Sequence, residues 1–201
     1  MKRRLAIIGA SYLQLPLVLK AREMGLETLC FAWPEGAVCK EHCDEFVPVS
    51  IVEKERIASI CAERDIDGVA TIASDVAVPT VCHVTQQLGL NGNSERSAFL
   101  ATNKNAMRAA FHAAGVRVPA SRMARSEQDA LAAADEIGWP LIVKPADRSG
   151  SMGVEKTEEA DALRAAVRRA LDASFSGEAV VEQFIAKARE VSIEGISHHG
   201  E

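Results

Sequence analysis

The first ninety residues repeat one pattern: a short apolar run, a glycine or proline stop, then apolar residues at helical spacing. Leu5-Ala6-Ile7-Ile8 is closed by Gly9, and Thr28 to Ala32 is followed by Pro34 and Gly36. Phe46-Val47-Pro48-Val49 is short, and its proline marks an edge strand. Val69 to Ile72 follows Asp67-Gly68. Runs this short and this apolar fit strands buried on both faces. Between them, Leu17, Ala21 and Met24 fall at i, i+4 and i+7, and Ile57, Ile60 and Cys61 mark a second helix face. Val81, Val84, Thr85 and Leu88 mark a third, with Ser74 as its expected cap. Strands alternating with helices predict a parallel sheet with right-handed crossovers.

After Asn91-Gly92-Asn93 the rhythm changes, and the domain boundary is expected there. Two helical stretches follow without a strand; in the second, Met107, Ala110, Phe111 and Ala114 share a face. Val116 to Met123 reads as extended, and Ser126-Glu127-Gln128-Asp129 as a helix start. Leu131, Ala134 and Ile137 form that helix's buried stripe. Pro140 to Pro145 is a strand ending in Lys144-Pro145, and a small-residue loop follows. A helix from Glu158 to Leu171 comes next, then a strand from Ala179 to Ile185. Glu190 to Ile196 alternates polar and apolar, as a half-buried antiparallel strand does.

Charge and cysteine usage narrow the function. The net charge is −5 and aromatics are 4%, so neither a nucleic-acid footprint nor a stacking surface is expected. No apolar run is long enough for a membrane span, and the run after Met1-Lys2-Arg3-Arg4 is too short for a signal peptide. The five cysteines, an odd number in a chain of 201 residues, point to a reducing cytoplasm rather than a disulfide framework. Cys39, His42 and Cys43 make one close group with no clear second pair, so no metal is expected on them.

Gly9-Ala10-Ser11-Tyr12-Leu13-Gln14 stands where a dinucleotide loop would stand. Ser11 and Gln14 replace two of the three expected glycines, which favours a plain strand-to-helix turn. The second half carries four ordered features: Asn103-Lys104, Val143-Lys144-Pro145, the loop Ser149 to Gly153, and Val181 to Ile185 followed by Glu190. Singly, each has a bland alternative: a solvated lysine, a hairpin turn, an exposed strand rung. Together they offer cations for phosphate, loop N–H groups for phosphate oxygens, a linker for a base edge and a carboxylate for ribose. No Walker A loop is present.

These features resemble the ATP-grasp superfamily. The residues carrying the resemblance are Asn103-Lys104, Gly138 to Pro145, Ser149-Gly150-Ser151-Met152-Gly153-Val154, and Glu182 with Arg189-Glu190-Val191-Ser192-Ile193. The first ninety residues resemble the Rossmann-like domain that precedes it in the carbamoyl-phosphate-synthase and carboxylate–amine ligase branch.

The resemblance implies an α/β chain: a parallel-sheet pre-ATP-grasp domain over 1–93, then a partial ATP-grasp domain over 94–201. Within the latter it implies linker helices (94–117), a small α+β nucleotide-binding lobe (118–185) and the start of a truncated second lobe (186–201). It implies Lys104 and Lys144 on ATP phosphates and Ser149, Gly150, Ser151, Met152 and Gly153 as a lid. Glu182, Gln183, Phe184 and Ile185 would hold adenine, mostly by main chain, and Glu190 the ribose. Met152 departs from the polar or basic residue that relatives often carry. The family's magnesium ligands and catalytic arginine are expected beyond residue 201, so no catalytic or metal residue is assigned within the chain.

The implied activity is carboxylate–amine ligation through an acyl phosphate, with ATP and Mg2+, in a parent of which this chain would be an N-terminal fragment inactive alone. Its partners would be a small carboxylate and an amine, not nucleic acid or membrane, and a homodimer is a compatible assembly. Two alternatives stand beside it: a non-catalytic nucleotide-binding or interaction module, and an NAD-binding Rossmann oxidoreductase.

Overall fold

The computed structural model describes residues 2–193 and Gly195. The chain divides into two compact units, Met1–Val116 and Arg117–Glu201. The two helical stretches beyond Asn93 therefore belong with the first unit, and the division falls at the glycine-closed end of the second of them.

In the first unit β1 (Arg4–Ile8), β2 (Glu27–Phe31), β3 (Glu45–Val47) and β4 (Gly68–Ala70) form a parallel sheet, order β3-β2-β1-β4. Ile7 lies opposite Cys30 on one side and Ala70 on the other. Successive strand residues face opposite ways, so the sheet feeds two cores. Ala6, Ile8, Leu29 and Phe31 pack with Ile57 and Cys61 of α2 (Lys54–Glu63) and Val84 of α3 (Val78–Gln87). Ile7 and Cys30 pack with Cys39 and with Val18 of α1 (Leu15–Glu23). Helices on both faces of a parallel sheet are what the alternation predicts, and β3 is the edge strand that Pro48 marks.

Two local expectations are corrected. Helix α1 presents Val18 and Ala21 inward, with Gln14 buried just before it, whereas Met24 is 66% exposed. The cause is the Gln14 amide: Oε1 accepts from Ser11 N and Ser11 Oγ, and Nε2 donates to the Ile72 carbonyl at 2.6 Å. Satisfying this buried amide sets the rotation of the helix that follows. Ser74 accepts no capping bond. A turn of 3-10 helix (Asp75–Ala77) separates it from α3, whose first turn holds Pro79, a residue that needs no N–H partner.

Helices α4 (Glu95–Thr102) and α5 (Lys104–Ala113) are capped by Ser94 and Asn103, whose side chains accept from Ser97 N and Ala106 N. His83 of α3 is buried between two carboxylates, with Nδ1 2.8 Å from Glu95 and Nε2 3.0 Å from Glu55. Lys54 reaches the other Glu95 oxygen at 3.2 Å, so α2, α3 and α4 share one polar clasp. Cys30, Cys39, Cys61 and Cys82 are buried and free. Burial pushes the Cys61 thiol up to about 12, the behaviour of a packing group rather than a nucleophile.

In the second unit β5 (Ser121–Ala124), β6 (Leu141–Pro145), β7 (Glu155–Thr157) and β8 (Ala179–Gln183) form a separate antiparallel sheet, order β5-β8-β6-β7. Helices α6 (Glu127–Ile137) and α7 (Ala160–Ala173) pack on one face. Leu141, Val143, Ala179 and Val181 meet Ala130, Ala134, Leu163, Ala166, Val167 and Ala170 there. Ser126 caps α6 as expected, accepting from Asp129 N. Strand β7 was not anticipated: Glu155-Lys156-Thr157 is polar and short, and pairing with β6 makes it a strand. The strand expected over Glu190–Ile196 is not found among its described residues. Residues 190–193 are exposed and without regular structure, because no described strand lies beside them to take up their backbone hydrogen bonds. Glu194 and Ile196 lie outside the described residues. No helix of the described residues is long and apolar enough to cross a membrane.

Candidate nucleotide site

The period of two that buries Leu141 and Val143 turns Ile142 and Lys144 to the other face of the second sheet. The same logic places Val180 and Glu182 of β8 and Lys156 of β7 on that face, away from the helices. Glu182, Ile142 and Lys156 form one row across the sheet. Lys144 lies opposite Val180, hence on the diagonal to Glu182, a separation that long side chains bridge. Lys144 Nζ and Glu182 Oε1 form an ion pair, with the side chains only 14% and 8% exposed. Charges buried this far must be paired. Lys156 Nζ stands 4.7 Å from the centroid of the Phe184 ring, in cation–π range.

Beyond Pro145 the chain enters an exposed turn. Gly150, Ser151 and Gly153 have φ of 65°, 57° and 67°, a left-handed backbone that suits glycine and strains Ser151. Gly153 closes the loop against the strand end: a Cβ there would stand 3.0 Å from Pro145 Cγ. Met152 is 57% exposed and stands outside the core of the second unit. At the other side of the face, β8 ends at Gln183, whose N–H donates to Ala120 O at 2.8 Å. The Phe184 N–H donates to Pro140 O at 3.1 Å.

The structure thus brings together Lys144, Glu182 and Phe184, and it seats Gly153 beside the strand that carries Lys144. Gln183 and Ile185 continue the same strand end, and both are exposed. Glu190 is exposed in the irregular segment, and no hydrogen bond among the described residues draws it to the others. Lys104 lies in the first unit, in the first turn of α5. Sequence reasoning missed Lys156, since the strand that aims it was missed. The signal available was its even spacing from Val154 and Glu158 in a polar run, too short to read as a period.

In the first unit, the turn after β1 borders a crevice of about 240 Å3 at the C-terminal ends of the strands, lined by residues that include Gly9, Ser11, Gln14, Trp33 and Ser74. Gln14 Oε1 takes the Ser11 N–H, and Ser11 Oγ takes the Leu13 N–H. These two amides, which a dinucleotide loop would turn to a pyrophosphate, are engaged within the turn.

Residues 103–200 match the family model described as carbamoyl-phosphate synthase L chain, ATP binding domain. Over 105 residues the chain is 40% identical to the carbamoyl phosphate synthase large chain of Rubrobacter xylanophilus, covering 52% of this chain and 10% of that one. Over 95 residues it is 38% identical to the D-alanine–D-alanine ligase of Ectopseudomonas mendocina, covering 47% of this chain and 30% of that one. The chain therefore spans less than a third of either relative. Among solved structures, an L-amino acid ligase from Bacillus licheniformis superposes with a TM-score of 0.70 at 23% identity. That match covers 92% of this chain and 44% of that one, and it shows a shared fold. The matched stretch spans the paired Lys144 and Glu182, the glycine-rich turn and the strand that ends at Gln183, and it identifies residues 103–200 as similar to the ATP-binding domain of the ATP-grasp superfamily.

Proposed function

We propose that the helix-free face of the second sheet binds ATP, in an enzyme that joins a carboxylate to an amine through an acyl phosphate. The observation that carries this reading is the buried Lys144–Glu182 pair, set beside a glycine-rich turn in the stretch that matches the ATP-binding family. Lys144 would neutralise phosphate charge. Ser149, Gly150, Ser151, Met152 and Gly153 would form the lid, and the N–H groups of Ser149, Gly150, Ser151 and Gly153 would cradle phosphate oxygens, while that of Met152 is engaged by Ser149 O. The Gln183 and Phe184 N–H groups are engaged by Ala120 and Pro140, so adenine would be read by the carbonyls of Glu182 to Phe184 and by the Ile185 N–H. Phe184, with Lys156 over it, supplies the apolar surface beside the base. Glu190 would take ribose hydroxyls, and Lys104 would supply a second cation to the phosphates.

In this reading residues 1–93 are the pre-ATP-grasp domain, 94–117 its linker helices, 118–185 the small nucleotide lobe and 186–201 the start of the next lobe. Among the described residues no group of three or more His, Cys, Asp or Glu side chains could hold a metal ion. Magnesium, which such transfers use to screen phosphate charge, is therefore given no ligand here. What these residues do is bind and orient the nucleotide, so that its terminal phosphate faces an incoming carboxylate with water excluded by the closed turn.

The test is a hydroxylamine trap. Incubation of the full-length parent with ATP, magnesium, hydroxylamine and a panel of small carboxylates should release ADP and a hydroxamate with at least one of them. ADP formed at the same rate without any carboxylate, and no hydroxamate with any, would refute the acyl-phosphate route.

A further inference from the structure

Three consecutive residues after β6 are tied to one short segment. Ala146 N donates to Glu178 O at 3.0 Å. The Asp147 carboxylate accepts three bonds: from Ser174 Oγ and Phe175 N at 2.9 Å on Oδ1, and from Ser176 N at 2.8 Å on Oδ2. Arg148 donates through Nε to Ala173 O and lies 3.8 Å over the Phe175 ring. Residues 174–178 form the turn between the end of α7 and β8, so the end of β6 and the start of β8 share this knot.

Past Arg148 the ties thin out. Met152 N reaches Ser149 O at 3.4 Å and Val154 N reaches Ser151 O at 3.3 Å, and both bonds lie within the loop itself. The path from Lys144 back to the knot is rigid, because Pro145 and Ala146 are buried. Lys144 and the root of the loop are therefore one piece.

We propose that Asp147 is a positioning residue for the phosphate loop: it fixes the root of the loop to the α7–β8 turn, so that only Ser149–Gly153 closes over a nucleotide. This rests on the nucleotide reading above, and it adds a hinge, at Arg148–Ser149, and the group that sets it. Asp147 itself touches no phosphate. It acts by holding the loop's amides at a set distance from the Lys144 ammonium. A carboxylate that merely closed a turn would order residues 174–176 and leave the loop indifferent.

The experiment is hydrogen exchange on the full chain, with and without the probes AMPPNP plus magnesium, and adenosine. In the wild type, AMPPNP should slow exchange over 149–153 and leave 173–178 unchanged. Without any probe, Asp147→Ala should speed exchange at Phe175 and Ser176 and also over 149–153. It should weaken AMPPNP roughly tenfold, the worth of about one hydrogen bond, and leave adenosine binding unchanged. Asp147→Asn should fall between, because its Nδ2 cannot accept an N–H. Should Asp147→Ala fail to fold, Asp147→Asn and Ser174→Ala carry the same comparison. Unchanged exchange at Phe175 and Ser176 would overturn the anchor. Faster exchange there, with loop exchange and AMPPNP affinity as in the wild type, would reduce Asp147 to a turn cap and overturn the proposal. If the wild type bound neither probe, the nucleotide reading would fall, while the probe-free exchange over 149–153 would still decide whether Asp147 holds the loop.

Discussion

Lys144 is held by the Glu182 carboxylate, which in the proposed nucleotide site would yield to a phosphate. Glu182 is 6% exposed, so a variant that removes the lysine takes a cationic partner from a buried carboxylate. Lys144→Met keeps the apolar stem and loses the ammonium. It should lower the melting temperature, because the buried carboxylate loses its cationic partner, and Lys144→Met/Glu182→Gln should regain most of it. Thermal melts of the two variants check this, and equal melting temperatures for them would deny the coupling. Asp147 makes a pH prediction. Burial alone would raise its carboxyl, but hydrogen bonds from Ser176, Ser174 and the Phe175 amide outweigh burial and hold it below the ordinary carboxylate range. A depressed folded value means that the stabilisation is present above the unfolded value of about 3.9. It is lost as pH falls through the folded value. The gap in melting temperature between wild type and Asp147→Asn should therefore be full at pH 5 to 7 and shrink as pH falls below about 4. A gap that stays constant down to the acid limit would mean the carboxylate is not stabilised by its donors.

At the scale of elements, the His83 clasp joins three helices through one imidazole with a carboxylate on each ring nitrogen. His83→Ala removes both bonds and leaves a small cavity beside α3. It should destabilise the first unit by about 2 kcal/mol, seen as a lower denaturation midpoint, and leave nucleotide affinity unmoved. The elements also show what a sequence can disclose. The four parallel strands were legible because each is a dense apolar run with a glycine or proline stop. The α6 start was legible because Ser126 and Asp129 stand at capping spacing. The inward face of α1 was not, because a buried glutamine outranked the apolar residues that a periodicity count favours. Strand β7 was not, because three polar residues become a strand only when β6 is already there to pair with. In the candidate site, Lys144 and Glu182 could be named one by one, but their partnership is a diagonal across two strands 38 residues apart in sequence. Lys156 and Asp147 were invisible for the same reason: their partners are supplied by other elements.

At the scale of the molecule, the chain builds two sheets of different kinds, one parallel and buried on both faces, one antiparallel with helices on a single face. The second arrangement leaves one face clear of its own helices, and Lys144, Lys156 and Glu182 lie on it. The first offers a crevice in which the Ser11 and Leu13 amides are already engaged, so we assign the phosphate loop and its main cation to the second sheet rather than to this turn. Calorimetric titration of wild type and Lys144→Ala with ATP and with adenosine tests this assignment most directly. A phosphate contact of the charge-assisted kind is worth about 1.5–3 kcal/mol. The variant should therefore bind ATP roughly tenfold to a hundredfold more weakly, at 1.4 kcal/mol per decade, and bind adenosine as the wild type does. Equal losses for ATP and adenosine would show that Lys144 only props the sheet, and would contradict the account.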